Sequence, residues 1–443
     1  QTPLLIWADL PGWGSSSPNG LGFSGNSLFV STLDNTIYQV NLSTLAATLR
    51  TPASTPSGFS QNDIATCIYP ANLVPNVAAT KAFRNVTKGD PADFTVSSAA
   101  NPGDTLEYRV VVRNSGAIFS GNTTFQDTIP SGVTYVANST TLNSSAVTDL
   151  AGTGNARFNY QTAKNINSPG QGVGVVAVDS TPATITDNEA TVIFRVTVNS
   201  PFNGTANPIA NTAQVNFAGS SVAVNSNTVN TSVNFNISGK VFEDFNYGGG
   251  AGRNLTNSGG AVRQNAQVEL YNSAGNFVTS TLTNVTGDYS FTNLSAGNYT
   301  VRVVNSSVTS SRPGSVSGLI PVQTFRTDAS SGAATDDVHR VGGETPNLVD
   351  AGNGSTTLAA LTTSTTTAQS ISPVTIGTAH ITGADFGFNF STIVNRNDSG
   401  QGSLRQFILN SNALTNSGLN QSGSPPIQEE RHHRSRLANR VSL

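Results

Sequence analysis

The chain has 443 residues, 22 of them Lys or Arg and 25 Asp or Glu, for a formal net charge of −3. Only 11% are charged, against roughly 25% in an ordinary soluble domain, while the apolar share of 36% is enough to build cores. So thin a charge gives no electrostatic footprint for nucleic acid or an anionic membrane, and four His with one Cys leave little material for metal or nucleophile chemistry.

No apolar run approaches the roughly 18 residues of a spanning helix. The sequence starts Gln1-Thr2-Pro3 and has no Met, which reads as a processed product or fragment whose start suits a signal-peptide cut. Cys67 has no partner with which to form an internal disulfide. These features together place the protein outside a bacterial cell, where proteins without disulfides are common.

Gly and Pro punctuate the chain, and the runs between them alternate with period two, the signature of β-sandwiches. Residues 1–74 hold short strand pairs, Ser27-Leu28-Phe29-Val30 with Thr36-Ile37-Tyr38-Gln39-Val40, in a stretch that resembles one propeller blade. Residues 75–235 read as one long sandwich. Its clearest strands are 106–113, with Leu106, Tyr108, Val110 and Val112 inward and Glu107, Arg109 and Arg113 outward, and 192–198, with Val192, Phe194, Val196 and Val198 inward. Asn101-Pro102-Gly103-Asp104 is a turn in which Pro fixes φ and Gly admits positive φ.

Three motifs stand in order in this region: Pro102-Gly103-Asp104-Thr105 with Tyr108, Asp127-Thr128-Ile129-Pro130-Ser131-Gly132 with Tyr135, and Asn211-Thr212-Ala213. They resemble the bacterial surface repeats grouped as domain of unknown function 11, which implies an immunoglobulin-like sandwich in an exported protein. Residues 236–306 open with Ile237-Ser238-Gly239-Lys240-Val241-Phe242-Glu243-Asp244-Phe245-Asn246. They continue through Gly287-Asp288-Tyr289-Ser290-Phe291 and close on Ala296-Gly297-Asn298-Tyr299. This second sandwich resembles the B-type repeats of staphylococcal Sdr adhesins and the collagen-adhesin B modules.

Residues 307–390 are rich in Ser, Thr and Gly and read as a partly ordered extension, flexible near 352–370. A helix is expected near 403–414, capped by Ser403 and presenting Leu404, Phe407 and Ile408 as its apolar stripe. The final segment, 391–443, combines a run at 397–406 resembling the start of a parallel β-helix with a basic tail of different composition around Glu429–Arg434. The expected fold class is therefore all-β: tandem immunoglobulin-like β-sandwiches with a strand-rich N-terminal segment and a short C-terminal helix.

The B-repeat resemblance implies calcium held near the first strand, by Glu243, Asp244 and Asn246. Gly248 stands where a third acidic ligand would, and calcium takes six to eight oxygens, so a polar turn is the plainer reading of the same run. The collagen-adhesin resemblance also implies a Lys–Asn isopeptide bond, for which Lys240 on the first strand stands against the plainer reading of a solvated lysine. His339 and His380 are too far apart in sequence for a ligand pair, and no G-x-S-x-G, Walker, C-x-x-C or H-E-x-x-H pattern occurs. No catalytic residue and no other cofactor is expected. The functional expectation is a non-enzymatic structural or adhesive protein of the bacterial cell surface, self-assembling by β-strand pairing into a filament or sheath. Its expected partners are copies of itself, other surface proteins, or host or matrix ligands. The alternative is the accessory region of an exported polysaccharide-acting enzyme whose catalytic β-helix lies elsewhere.

Overall fold

The computed structural model describes residues 18–24, 27–32, 37–41, 47–49, 74–89, 94–116, 118–178 and 187–421. Cys67 and the basic tail lie outside the described residues. The chain is all-β and divides into two compact units. One runs to Asn199 and includes Asn203–Ser232; the other comprises Ser200–Phe202 and the chain from Val233 onward. No helix among the described residues is long and apolar enough to cross a membrane.

The first unit opens with an antiparallel meander of strands Pro18–Ser24, Ser27–Thr32, Ile37–Asn41 and Ala47–Leu49. Leu28, Val30, Tyr38, Val40 and Ala47 are buried in it, with Leu28/Val30 and Tyr38/Val40 each two apart as a pleated strand requires. A sandwich follows. One sheet runs, in order, through Ser145–Ala146, Thr141–Leu142, Glu189–Val198, Thr105–Asn114 and Val77–Asn85, with Val133–Tyr135 also paired to Glu189–Val198. The other face is supplied by two smaller groups. One is Lys164–Asn165, Thr124–Asp127, Ala213–Asn216 and Val224–Asn225; the other is Ile209–Asn211, Val229–Val233 and Ser97–Ala100.

The expected inward residues of the two long strands, from Leu106 to Val112 and from Val192 to Val198, are fully buried. Register puts Tyr108 opposite both Phe83 and Phe194, with ring centroids 5.8 and 5.3 Å away. Each such pair adds about 0.5–1.5 kcal/mol beyond the area it buries. The turn before this strand forms as its residues dictate: Gly103 takes φ +93° and Asp104 N–H donates to the Asn101 carbonyl at 3.0 Å. Glu107 departs from expectation. It points away from the core yet is only 5% exposed, because Arg84 and Arg195 on the two flanking strands stand opposite it and close over it at 2.6 and 2.7 Å.

In the second unit one sheet runs Ala261–Val262, Phe235–Glu243, Phe386–Asn389, Val322–Asp328 and Thr335–Asp337, with Asp288–Leu294 also paired to Phe235–Glu243. The other runs Phe277–Leu282, Gln267–Asn272, Gly297–Val303 and Ser370–Ile376. Residues 307–390 are thus no appendage: they supply three main strands to these two sheets. Phe386–Asn389 lies parallel to Phe235–Glu243, and Gly387 is required there because a Cβ would stand 2.6 Å from the Phe242 ring. Sequence periodicity misses these strands because Val322–Asp328 and Phe386–Asn389 are covered on both faces, so Gln323, Thr324 and Asn389 are as buried as their apolar neighbours. The Thr-rich stretch also carries structure. Thr366–Thr367 pairs with Val349–Asp350, Ala359–Leu361 forms a 3-10 turn, and the Thr363 and Thr366 hydroxyls meet at 2.9 Å.

The helix Leu404–Ala413 is present and capped by Ser403, whose side chain accepts from Gln406 N–H at 3.1 Å. It faces the other way from its expected stripe. Gln406 and Asn410 are buried, while Leu404 and Ile408 are about half exposed. The reason is hydrogen bonding. Asn410 Nδ2 donates to the Ile320 and Phe390 carbonyls at 3.0 and 2.9 Å, so amides rather than aliphatic contacts seat the helix.

Candidate functional site

The structure separates the residues expected to hold calcium. Glu243 and Asp244 are both fully buried at the end of the Phe235–Glu243 strand. The Glu243 carboxylate accepts from the Ser310 and Ser311 hydroxyls at 2.7 and 2.6 Å, with Arg312 at 3.6 Å. Asp244 is gripped by the Arg253 guanidinium, whose Nε lies 3.0 Å away, and Asn246 Oδ1 accepts from Asn420 N–H at 2.7 Å. Burial pushes the Asp244 carboxyl upward, and Arg253 opposes it. Oxygens already committed to hydroxyls and guanidinium groups do not make the six-to-eight-oxygen cage that calcium needs. Among the described residues, no three His, Cys, Asp or Glu side chains gather in a metal-binding group.

Lys240 lies on the rim of a polar groove of about 450 Å³ that also includes Asp288, Tyr289 and Asp385. Its ammonium pairs with Asp288, and both side chains are substantially exposed, at 38% and 42%. This hydrogen bond holds the Asp288 carboxyl below the usual range. A solvated, paired ammonium of this kind is no nucleophile. His380 Nδ1 accepts from Asn236 N–H at 3.0 Å, which commits that ring nitrogen to the backbone.

The unusual chemistry lies instead in the core of the first sandwich. In the strand Val77–Asn85, the inward positions are Val77, Ala79, Lys81, Phe83 and Asn85, so the pleat carries Lys81 into the core. The edge of the sheet is closed at this point. The Asn227 side chain accepts from Lys81 N–H and donates to the Lys81 carbonyl, both at 2.8 Å. By the same parity Thr124–Asp127 turns Asp127 inward, Ile209–Asn211 turns Asn211 inward, and Val229–Val233 turns Thr231 inward. Lys81 is 2% exposed, Asn211 3%, and Asp127, Tyr108 and Thr231 not at all.

Lys81 Nζ bonds Asp127 Oδ2 and sits 4.9 Å from the centre of the Tyr108 ring. Asn211 is close enough to hydrogen-bond both the Asp127 carboxylate and the Tyr108 hydroxyl. Even so, Asp127 Oδ1, Asn211 Nδ2, Tyr108 Oη and Thr231 Oγ1 make no hydrogen bond of regular geometry. Burial dominates the electrostatics: it brings Lys81 down to about 8, against the pull of Asp127, and pushes the Asp127 carboxyl up. Both shifts favour a neutral amine beside a neutral acid, because a dry core disfavours separated charge. Sequence reading names Asp127 and Asn211 only as motif positions and does not single out Lys81. The available signal was a lysine at even spacing between Ala79 and Phe83 on an otherwise apolar face.

A second buried cluster ties the other sandwich to its long loop. Arg302 is fully buried between Glu269 at 2.7 Å and Asp350 at 3.0 Å. Tyr271 Oη and Gly354 N–H complete the Glu269 carboxylate at 2.7 and 2.6 Å. Every member has a charged or hydrogen-bonded partner within the fold, so this cluster is a structural clamp.

Each unit contains a β-sandwich, and in the second unit residues 235–352 match the SdrD B-like domain. That match ends just past Asp350, inside the loop that Arg302 holds. No curated protein matches the chain in sequence. Among solved structures, BcpA, the major pilin subunit of Bacillus cereus, is similar at 11% identity over 68% of this chain and 79% of that one, with a TM-score of 0.25. The T6 backbone pilin of serotype M6 Streptococcus pyogenes is similar at 13% identity over 83% and 79%, with a TM-score of 0.25.

Proposed function

We propose that this chain is a non-enzymatic structural protein displayed outside a bacterial cell, which pairs with copies of itself or with other surface proteins. The observation that carries the reading is the SdrD B-like domain at 235–352. The resemblance of 75–235 to domain-of-unknown-function-11 repeats, through the motifs at 102–108, 127–135 and 211–213, points the same way. So does the use of buried titratable groups, which serve the interiors of the two sandwiches.

Self-assembly on this reading runs through a sheet edge. Phe277–Leu282 is the outer strand of its sheet, carries no charge, and leaves Val278 and Leu282 43% and 58% exposed. Uncharged edge strands are templates for pairing with another chain. Electron microscopy of the purified protein tests this: filaments or sheets are expected, and the double variant Val278→Lys, Leu282→Lys loses them while its circular dichroism is unchanged. Monodisperse particles of the unaltered protein at high concentration would count against assembly.

A further inference from the structure

The outer face of the large sheet in the first sandwich carries more positive charge than it neutralises. Arg84, Glu107 and Arg195 stand directly opposite one another on three neighbouring strands, so one carboxylate answers two guanidinium groups. Two residues along the middle strand, Arg109 points the same way as Glu107. Its direct neighbours across the sheet are Ala82 and Ile193, which offer no counter-charge. Among the described residues no carboxylate pairs with Arg109. Its guanidinium lies over the Phe94 ring, 4.2 Å from the centre, and that of Arg84 lies 5.1 Å from the same centre. Three cations and one anion thus share this face in a chain whose net charge is −3. The two arginines on the ring repel each other over a distance comparable with the Debye length, about 8 Å at physiological salt. The face is open to solvent: the Arg84 and Arg195 side chains are 28% and 44% exposed.

We propose that this face docks an extended acidic segment of a partner protein, with Arg109 as the carboxylate receptor and Arg84 and Arg195 beside it. A guanidinium fork matches a carboxylate with two parallel N–H···O bonds. The Phe94 ring occupies the face of the Arg109 guanidinium and leaves its in-plane donors for a ligand. It also fixes the group before the partner arrives, which lowers the ordering cost of binding. Spacing selects the partner. Arg109 is the diagonal neighbour of both Arg84 and Arg195, a relation that separates residues by roughly 7–8 Å. Acidic residues at alternate positions of an extended chain project from one side about 6.7 Å apart, so two of them meet Arg109 and one flanking arginine together. A purely structural ladder accounts for Arg84 and Arg195 on Glu107, but leaves Arg109 without a counter-charge. The face belongs to the first unit, so the inference stands apart from edge pairing at Phe277–Leu282 in the second.

Fluorescence anisotropy of the full chain with capped, dye-labelled octapeptides that alternate Thr with Glu, Gln or Lys tests it. The Glu peptide is expected to bind, more weakly as salt is raised from about 0.05 M to about 0.5 M, and the Gln and Lys peptides are not. Arg109→Gln should weaken the Glu peptide about tenfold, the loss of one charge-assisted contact. Lys164→Gln, at an exposed lysine on the other sheet, should leave it unchanged. Glu107→Gln removes the carboxylate that competes with the ligand and should tighten binding, a gain that a structural ladder does not produce and that serves as the readout if Arg109→Gln fails to fold. Equal binding of the Glu and Gln peptides would overturn the proposal. So would unchanged affinity in Arg109→Gln, or binding of polygalacturonate in place of the Glu peptide.

Discussion

Lys81 shows how much one side chain can hold that composition hides. Among four lysines it has no distinguishing neighbour in sequence beyond its parity with Ala79 and Phe83, and only the fold brings Asp127 and Asn211 to it from strands far along the chain. Glu107 makes the same point in reverse: alternation assigns its direction correctly, but the arginines that cover it come from the neighbouring strands. Removing the carboxylate partner exposes the cost of burying the amine. In Asp127→Asn the attraction that raises Lys81 is gone, so its folded value falls below the present figure of about 8 while the unfolded chain keeps its proton up to about 10.5. Across that window the unfolded state binds more protons, so stability rises with pH, by up to about 1.4 kcal/mol per unit. Urea midpoints of Asp127→Asn at about pH 7.5 and about pH 10 should therefore climb relative to Asp127→Asn with Lys81→Gln; equal pH dependence in the two variants would show that Lys81 is not held as a neutral amine.

At the level of strands and helices, the legible elements were those with one face in the core and one in water. Thr105–Asn114 and Glu189–Val198 alternate cleanly, and every inward residue expected of them is buried. The strands within 307–390 were not legible, because loops cover their second face and polar side chains are buried there beside apolar ones. The C-terminal helix was legible in position and cap, but not in orientation, since buried amides took the place of its aliphatic stripe. The clamp that holds the loop at 349–354 makes a quantitative test. Glu269→Ala leaves Arg302 buried with one carboxylate instead of two and should lower stability by about 3 kcal/mol, whereas replacing both Glu269 and Arg302 by Met should cost less than that single change. Denaturant midpoints of the three proteins decide it, and a neutral Glu269→Ala would remove the clamp from this account.

For the whole molecule, low charge and abundant small polar residues now have a physical place. Thr, Asn and Ser satisfy turns and loop hydroxyl pairs such as Thr363–Thr366 and Thr362–Thr367, while several of the charges are drawn into buried clusters around Glu107, Glu243, Glu269 and Lys81. Electron microscopy of the purified protein is the most direct test of a surface protein that assembles through an uncharged sheet edge. Filaments or sheets that the Val278→Lys, Leu282→Lys variant loses are expected, and monodisperse particles of the unaltered protein at high concentration would contradict the account.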